Sequence, residues 1–318
     1  MSRQPVAVRS LERQPRMTVL MTVLNGERYL HQTMDSILDQ TFSDFEFLII
    51  NDGSTDGTRD ILESYADSRI RVVHQQNMGV SRSSNIGLGL ARGCIVARID
   101  SDDTCRPDRL ERQLRMFEEE PDVTVVATGY RVNVAGNERD AEIPEFTDET
   151  LPPMLLEDNF FMHSTMAYRR DAVLRHGGYD ETKRYALDYK LWLILAWKGE
   201  RFRLIPEPIC TLRKHGGSIS ATRAVEQKEC ALASQLETLT WIRRHPEAAD
   251  HVDRGVLRGV LVNLSWHWRR ELPTHSREAA RLLMCLWPKE VEGYKMYALS
   301  YPMLRWLSRR TGGPARNA

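Results

Sequence analysis

Cysteine is scarce in this chain, and the five that occur, at positions 94, 105, 210, 230 and 285 of 318, form no C-x-x-C pair and no zinc-finger spacing. That excludes a thiolate metal site of those kinds and predicts reduced thiols in a cytoplasmic setting. No run of 18 apolar residues occurs, so no membrane-spanning helix is expected. The first 16 residues lack the apolar core of a signal peptide, and residues 1–15 read as a flexible tail. Net charge is also absent: 44 Lys plus Arg face 44 Asp plus Glu, interleaved over most of the chain, which argues against a nucleic-acid partner. The balance conceals a basic end, with fourteen basic residues against seven acidic ones after Thr240.

What is present is a βαβ rhythm. Met17 to Leu24 is a continuous apolar and β-branched run, as expected of a strand buried on both faces of a parallel sheet. Asn25-Gly26 turns the chain, and Leu30, Thr33, Met34, Ile37 and Leu38 then recur at helical spacing. A second strand, Phe45 to Ile50, ends at Asn51-Asp52-Gly53-Ser54-Thr55-Asp56-Gly57-Thr58, whose glycines and short polar side chains favour a tight loop before the next helix. Ile70 to Val73, a helix over 80–90, and the strand at Ile95 continue the pattern, which predicts an α/β fold.

That last strand runs directly into Arg98-Ile99-Asp100-Ser101-Asp102-Asp103. Crowded carboxylates at a strand end repel one another, so a divalent cation bridging substrate phosphates is one reading, and an acidic solvated turn is the other. In open α/β sheets ligands bind beyond the carboxyl ends of strands, where both this loop and the Asp52 loop fall. Asp188 opens an apolar helix, Tyr189 to Trp197, where an aspartate also serves as a cap. His163 follows the cluster Asn159-Phe160-Phe161-Met162, and His215 lies in a loop rich in Gly and Ser.

The ordered markers are specific: N-G-E-x-Y-L at 25–30, S-I-L-x-Q-T-F at 36–42, N-D-G-S-T-D-G-T at 51–58, Asn77-Met78-Gly79-Val80-Ser81, D-S-D-D, Arg106-Pro107-Asp108-Arg109-Leu110, His163-Ser164-Thr165-Met166, Gly177-Gly178-Tyr179-Asp180-Glu181, Leu187-Asp188-Tyr189 and Arg213-Lys214-His215-Gly216-Gly217-Ser218. Residues 17 to about 220 thereby resemble the family 2 glycosyltransferases, with a GT-A fold. The resemblance implies a mainly parallel sheet flanked by helices over 16–222, with a helical region over 223–318. It also implies an enzyme that moves a sugar from a nucleotide diphosphate donor, a UDP-sugar by preference, to a hydroxyl acceptor with inversion, in bacterial surface polysaccharide or glycolipid synthesis. The alternative is a non-catalytic sugar-nucleotide-binding or scaffold protein.

Carried over residue by residue, the resemblance makes Asp188 the general base. It gives nucleotide contacts to Thr22, Leu24, Asn25, Glu27, Asp52, Arg82, Asp100, Ser101 and Asp102, and places Mn²⁺ or Mg²⁺ on Asp102 and Asp103. His215, as metal ligand or phosphate partner, and Arg213 approach the diphosphate; His163 lies toward the acceptor side. The chain departs from the family's pattern in three places. Leu24 stands where relatives stack a tyrosine on the base, Ser84 where many carry Arg, and Ala186-Leu187 where a Glu commonly precedes the base. Beyond this region, Tyr294 to Arg310 interleaves aromatic and basic residues, which fits either packing on the catalytic domain or docking on an anionic membrane surface.

Overall fold

A computed structural model describes residues 14–267 and 273–287. The first half alternates strand and helix: β1 (Met17–Val23), α1 (Leu30–Leu38), β2 (Phe45–Asp52), α2 (Thr58–Ser64), β3 (Ile70–Gln75), α3 (Val80–Leu90) and β4 (Ile95–Arg98). The middle carries β5 (Thr104–Cys105), α4 (Arg109–Glu119), β6 (Val123–Val134), β7 (Asn137–Asp140), α5 (Leu151–Leu155), β8 (Ala167–Arg169), α6 (Arg170–Arg175), α7 (Leu187–Trp197) and β9 (Arg201–Lys214). Helices α8 (Ile219–Thr222), α9 (Ala224–Arg244), α10 (Arg254–His267) and α11 (Pro273–Leu286) follow.

The strands form one sheet in the order β3-β2-β1-β4-β8-β6-β9-β5, with β7 paired antiparallel to the last residues of β6. Its first half is wholly parallel. The second half is mixed: β8 runs antiparallel to both β4 and β6, while β9 runs parallel to β6. The period of two along β1 and β2 divides the core. Met17, Val19, Met21, Phe45, Phe47 and Ile49 pack under α1, α2 and α4; Leu20, Leu48 and Ile50 belong to the opposite layer, with Leu88 of α3 and Trp192 of α7. Burial on both faces is why these strands read as continuous apolar runs.

The chain leaves β1 for β2 and β3 on one side, then returns to β4 on the other. This is a topological switch point, and it opens a crevice at the carboxyl ends of β1 and β4, where D-S-D-D begins.

The C-terminal helices close the α7 face. Leu239 and Ile242 of α9, Leu257 and Leu261 of α10 and Leu282 of α11 are fully buried in the same core as Trp192. Each contributes about 1.5–3 kcal/mol of burial. No helix among the described residues is long and apolar enough to cross a membrane. The aromatic and basic segment 294–310, and nearly all of the tail 1–15, lie outside the described residues.

Candidate active site

Two loops beyond β1 and β2 are stitched together. Asn25, in the left-handed region at φ +56°, accepts the Thr55 N–H on Oδ1 at 2.8 Å and donates its own N–H to Ser54 Oγ at 2.9 Å. Glu27 Oε2 accepts the Gly57 N–H at 2.6 Å, while its backbone N–H reaches Asp56 Oδ2 at 3.2 Å. Asn25 and Glu27 thus hold the loops in register. Thr22 Oγ1 lies 3.4 Å from an Arg98 guanidinium nitrogen, and the Ser101 carbonyl accepts the Thr33 hydroxyl at 3.0 Å.

Asp52 is buried and faces the loop after β3. Its Oδ1 accepts from Gln75 Nε2 and the Met78 N–H, each at 2.8 Å, and its Oδ2 from the Gly79 N–H at 2.9 Å. Gly53 makes this approach possible: its φ is +80°, and a Cβ there would lie 2.6 Å from the Asn77 nitrogen. Leu24 and Met78, both exposed, border these loops, and Arg82 is exposed in the first turn of α3.

The three carboxylates of D-S-D-D have different surroundings. Asp100 opens to the crevice, with 42% of its side chain solvent-accessible; its Oδ1 lies 3.7 Å from Arg98 Nη2 and 3.5 Å from His163 Nδ1. The crevice walls desolvate it, but His163 and the Arg98 charge outweigh that effect and hold its pKa below the ordinary value. Asp102 is 30% accessible, and its Oδ2 lies 3.0 Å from His215 Nε2. Desolvation, then the Asp100 charge, raise its pKa. Asp103 is turned inward. It accepts the Ser164 hydroxyl at 2.5 Å and the Arg213 N–H at 2.9 Å, and burial followed by its two acidic neighbours pushes its pKa well up. Ser164 also accepts the Asp100 N–H, so the short turn His163–Thr165 braces the whole loop.

On the far side, His215 and Arg213 cluster on Tyr29. The Arg213 guanidinium lies 4.3 Å from the tyrosine centroid and the His215 ring 4.7 Å from it, while Arg213 Nη2 reaches Gln32 Oε1 at 2.5 Å. The Gly217 N–H donates to His215 Nδ1 at 3.1 Å. A neutral imidazole whose Nδ1 accepts carries its proton on Nε2, and that N–H faces Asp102.

His163 is 8% exposed. Its Nε2 accepts from Arg98 Nε at 3.1 Å and lies 2.7 Å from the Tyr179 hydroxyl, which meets Tyr168 at 3.0 Å. Its ring sits edge-on to Trp192, one turn along α7 from Asp188. Asp188 forms no ion pair among the described residues. Burial raises its pKa, with His163 and the N–H of Tyr189 opposing. Ala186, the residue before α7, is left-handed at φ +51°, a strained conformation for alanine that costs about 1 kcal/mol or more and sets the angle at which Asp188 enters the crevice.

The crevice therefore gathers Asp100, Asp102, His163, His215, Arg213 and Asp188, while Asn25, Glu27, Asp52 and Asp103 spend their polar atoms on neighbouring loops. Arg98, Ser164, Tyr29 and Tyr179 stand beside them without having been singled out from the sequence. Tyr29, Ser164 and Tyr179 fall within the ordered markers, and Arg98 is a charge at the end of an apolar strand, but none was assigned a role from the sequence. Residues 18–178 match the glycosyl transferase family 2.

The chain belongs to that family. Similar proteins include an "uncharacterized glycosyltransferase" of Haemophilus influenzae, 29% identical over 245 residues covering 73% of this chain and 75% of that one. A chondroitin synthase of Escherichia coli is 32% identical over 69% of this chain, which spans only 32% of the synthase. Among solved structures, residues 1–349 of TarS from S. aureus in complex with UDP-GlcNAc superpose with a TM-score of 0.59 at 17% identity, covering 95% of this chain and 93% of that one. The family 2 member described here shares that GT-A type of fold.

Proposed function

We propose that this glycosyltransferase moves a sugar, with inversion, from a nucleotide diphosphate donor to a hydroxyl of a growing polysaccharide or glycolipid. The observation that carries the reading is Asp188: a raised-pKa carboxylate without an ion pair among the described residues, at the crevice but on a different element from the acidic loop. A base must be kept off the cation that holds the leaving group, and this separation does so. A UDP-sugar is the favoured donor; the UDP-GlcNAc held by the TarS structure and the polysaccharide chemistry of the chondroitin synthase support it by similarity.

The donor set fits a hard divalent cation held mainly by substrate. Among the described residues no three metal-ligating side chains form a cage, whereas the Asp102 side chain stays 30% accessible to the crevice. Magnesium-like ions are commonly held by one or two carboxylates plus phosphates. When bound, Mn²⁺ or Mg²⁺ would neutralise charge on the leaving diphosphate. Asp102 is the ligand in this reading. Asp103, with both oxygens engaged, anchors the loop, and His215 acts as an N–H donor that orients Asp102 or meets a phosphate. Arg213 adds positive charge beside it. Asp52 holds the loop that borders the base, with Leu24 supplying an apolar contact in place of a ring. Asp188 removes the acceptor proton as the hydroxyl attacks in line.

Calorimetric binding of UDP, GDP, dTDP and CMP, each with and without Mn²⁺, tests the site in wild type and Asp102→Asn. Metal-dependent binding of one diphosphate, lost in the variant, is expected; binding of none of them would overturn the reading.

A further inference from the structure

Arg98 is a fully buried cation beside the crevice, at 0% exposure in the middle of the sheet, and its Nη1 has no partner among the described residues. Its nearest carboxylate, Asp100, is 3.7 Å away, too far for a direct hydrogen bond. A buried guanidinium paired this loosely is unfavourable for folding, and surface charge balance does not account for it. Its one well-formed contact is to a histidine: Arg98 Nε donates to His163 Nε2 at 3.1 Å. A guanidinium can only donate. His163 Nε2 must therefore be a bare lone pair. The Tyr179 hydroxyl at 2.7 Å reinforces this, because Tyr168 can supply the proton that Tyr179 accepts. The single proton of the neutral ring is left on Nδ1, 3.5 Å from Asp100 Oδ1.

We propose that Arg98 is a positioning residue that locks His163 as its Nδ1–H tautomer, so that His163 and Asp100 together offer one donor and one acceptor to a hydroxyl of the donor's sugar portion. A hydroxyl is the group that needs both, and the 3.5 Å gap is too long to be a fully formed bond and short enough for one hydroxyl to meet both sides. The ring is held between Asp100 and Trp192, the latter one turn of α7 from Asp188, so the N–H points to the carboxylate side of the crevice. This rests on the glycosyl-transfer reading.

The tautomer is read directly by long-range ¹H–¹⁵N correlation spectra of the full chain at pH 7.5, with His163→Gln assigning the signal. A protonated Nδ1 and bare Nε2 are expected in wild type and in Tyr179→Phe; a protonated Nε2 or an imidazolium in wild type overturns the proposal. Arg98→Met releases the lock, and the Nε2–H form should appear, with kcat falling about 10- to 100-fold and the donor KM moving less than about threefold. Arg98→Lys, which still donates, should keep the wild-type tautomer. A changed tautomer in Arg98→Met with unchanged kcat would remove the positioning role. Transfer surviving in Asp188→Asn would instead defeat the general-base assignment while leaving the tautomer result intact.

Discussion

Gly217 donates its backbone N–H to His215 Nδ1 across 3.1 Å, which leaves the proton of the neutral ring on Nε2, the nitrogen that faces Asp102. With Nε2 protonated, His215 cannot coordinate a cation through the atom nearest the acidic loop. Pulsed electron paramagnetic resonance of the Mn²⁺·UDP complex should therefore show no directly coordinated histidine nitrogen. A strong ¹⁴N coupling that vanishes in His215→Gln would make His215 a ligand.

Replacing Asp188 by Asn preserves shape and removes the carboxylate that the proposed function makes the base. Donor binding by calorimetry should stay within about twofold of wild type, whereas transfer should fall by about 10²- to 10⁴-fold, the usual worth of general-base catalysis. Wild-type turnover by the variant would exclude Asp188 from the chemistry.

Burial places the Asp188 pKa above that of an ordinary aspartate, and it must be ionised to act. The acid limb of the kcat–pH profile is expected above the usual carboxylate range and should disappear in Asp188→Asn. Stability runs the other way. Because the folded-state pKa is the higher one, the folded protein binds this proton more tightly; the associated stability is present below the unfolded pKa and is lost as pH rises through the folded one. Asp188→Asn should accordingly melt no lower than wild type at neutral pH, as measured by calorimetry.

Asp52→Ala removes three hydrogen bonds and leaves two backbone N–H groups without their acceptor. A cost of about 1–3 kcal/mol is expected, because a hydrogen bond to a charged group contributes about that much and water can reach these partly exposed amides. Hydrogen exchange at Met78 and Gly79 should accelerate, and nucleotide affinity should drop. Unchanged exchange at those two amides would show that the loop does not depend on Asp52.

The parallel half of the fold was legible because its strands are local and apolar on both faces: β1, β2 and α3 follow directly from runs such as Met17–Val23 and from the glycine loops between them. The mixed half was not, because β8 has only three residues and its pairing with β4 and β6 joins segments more than forty residues apart. At the candidate site, residue types single out Asp102 and Asp188. The inward turn of Asp103 could not be read, since it depends on Ser164 and Arg213, 61 and 110 positions away. Arg98 likewise gains its meaning only when His163 arrives across the sheet.

Helix α3 has a consequence for anyone recombining such enzymes. Its leading loop is gripped by Asp52, and its own side chains grip the segment that delivers Asp188: Asn85 binds Tyr179 through both its N–H and its carbonyl, and Ser81 donates to the Lys183 carbonyl at 2.5 Å. The stretch 140–190 is therefore not a detachable cassette. A chimera that imports this stretch from a relative without the matching helix face at 81 and 85 would leave Asp188 with no fixed seat.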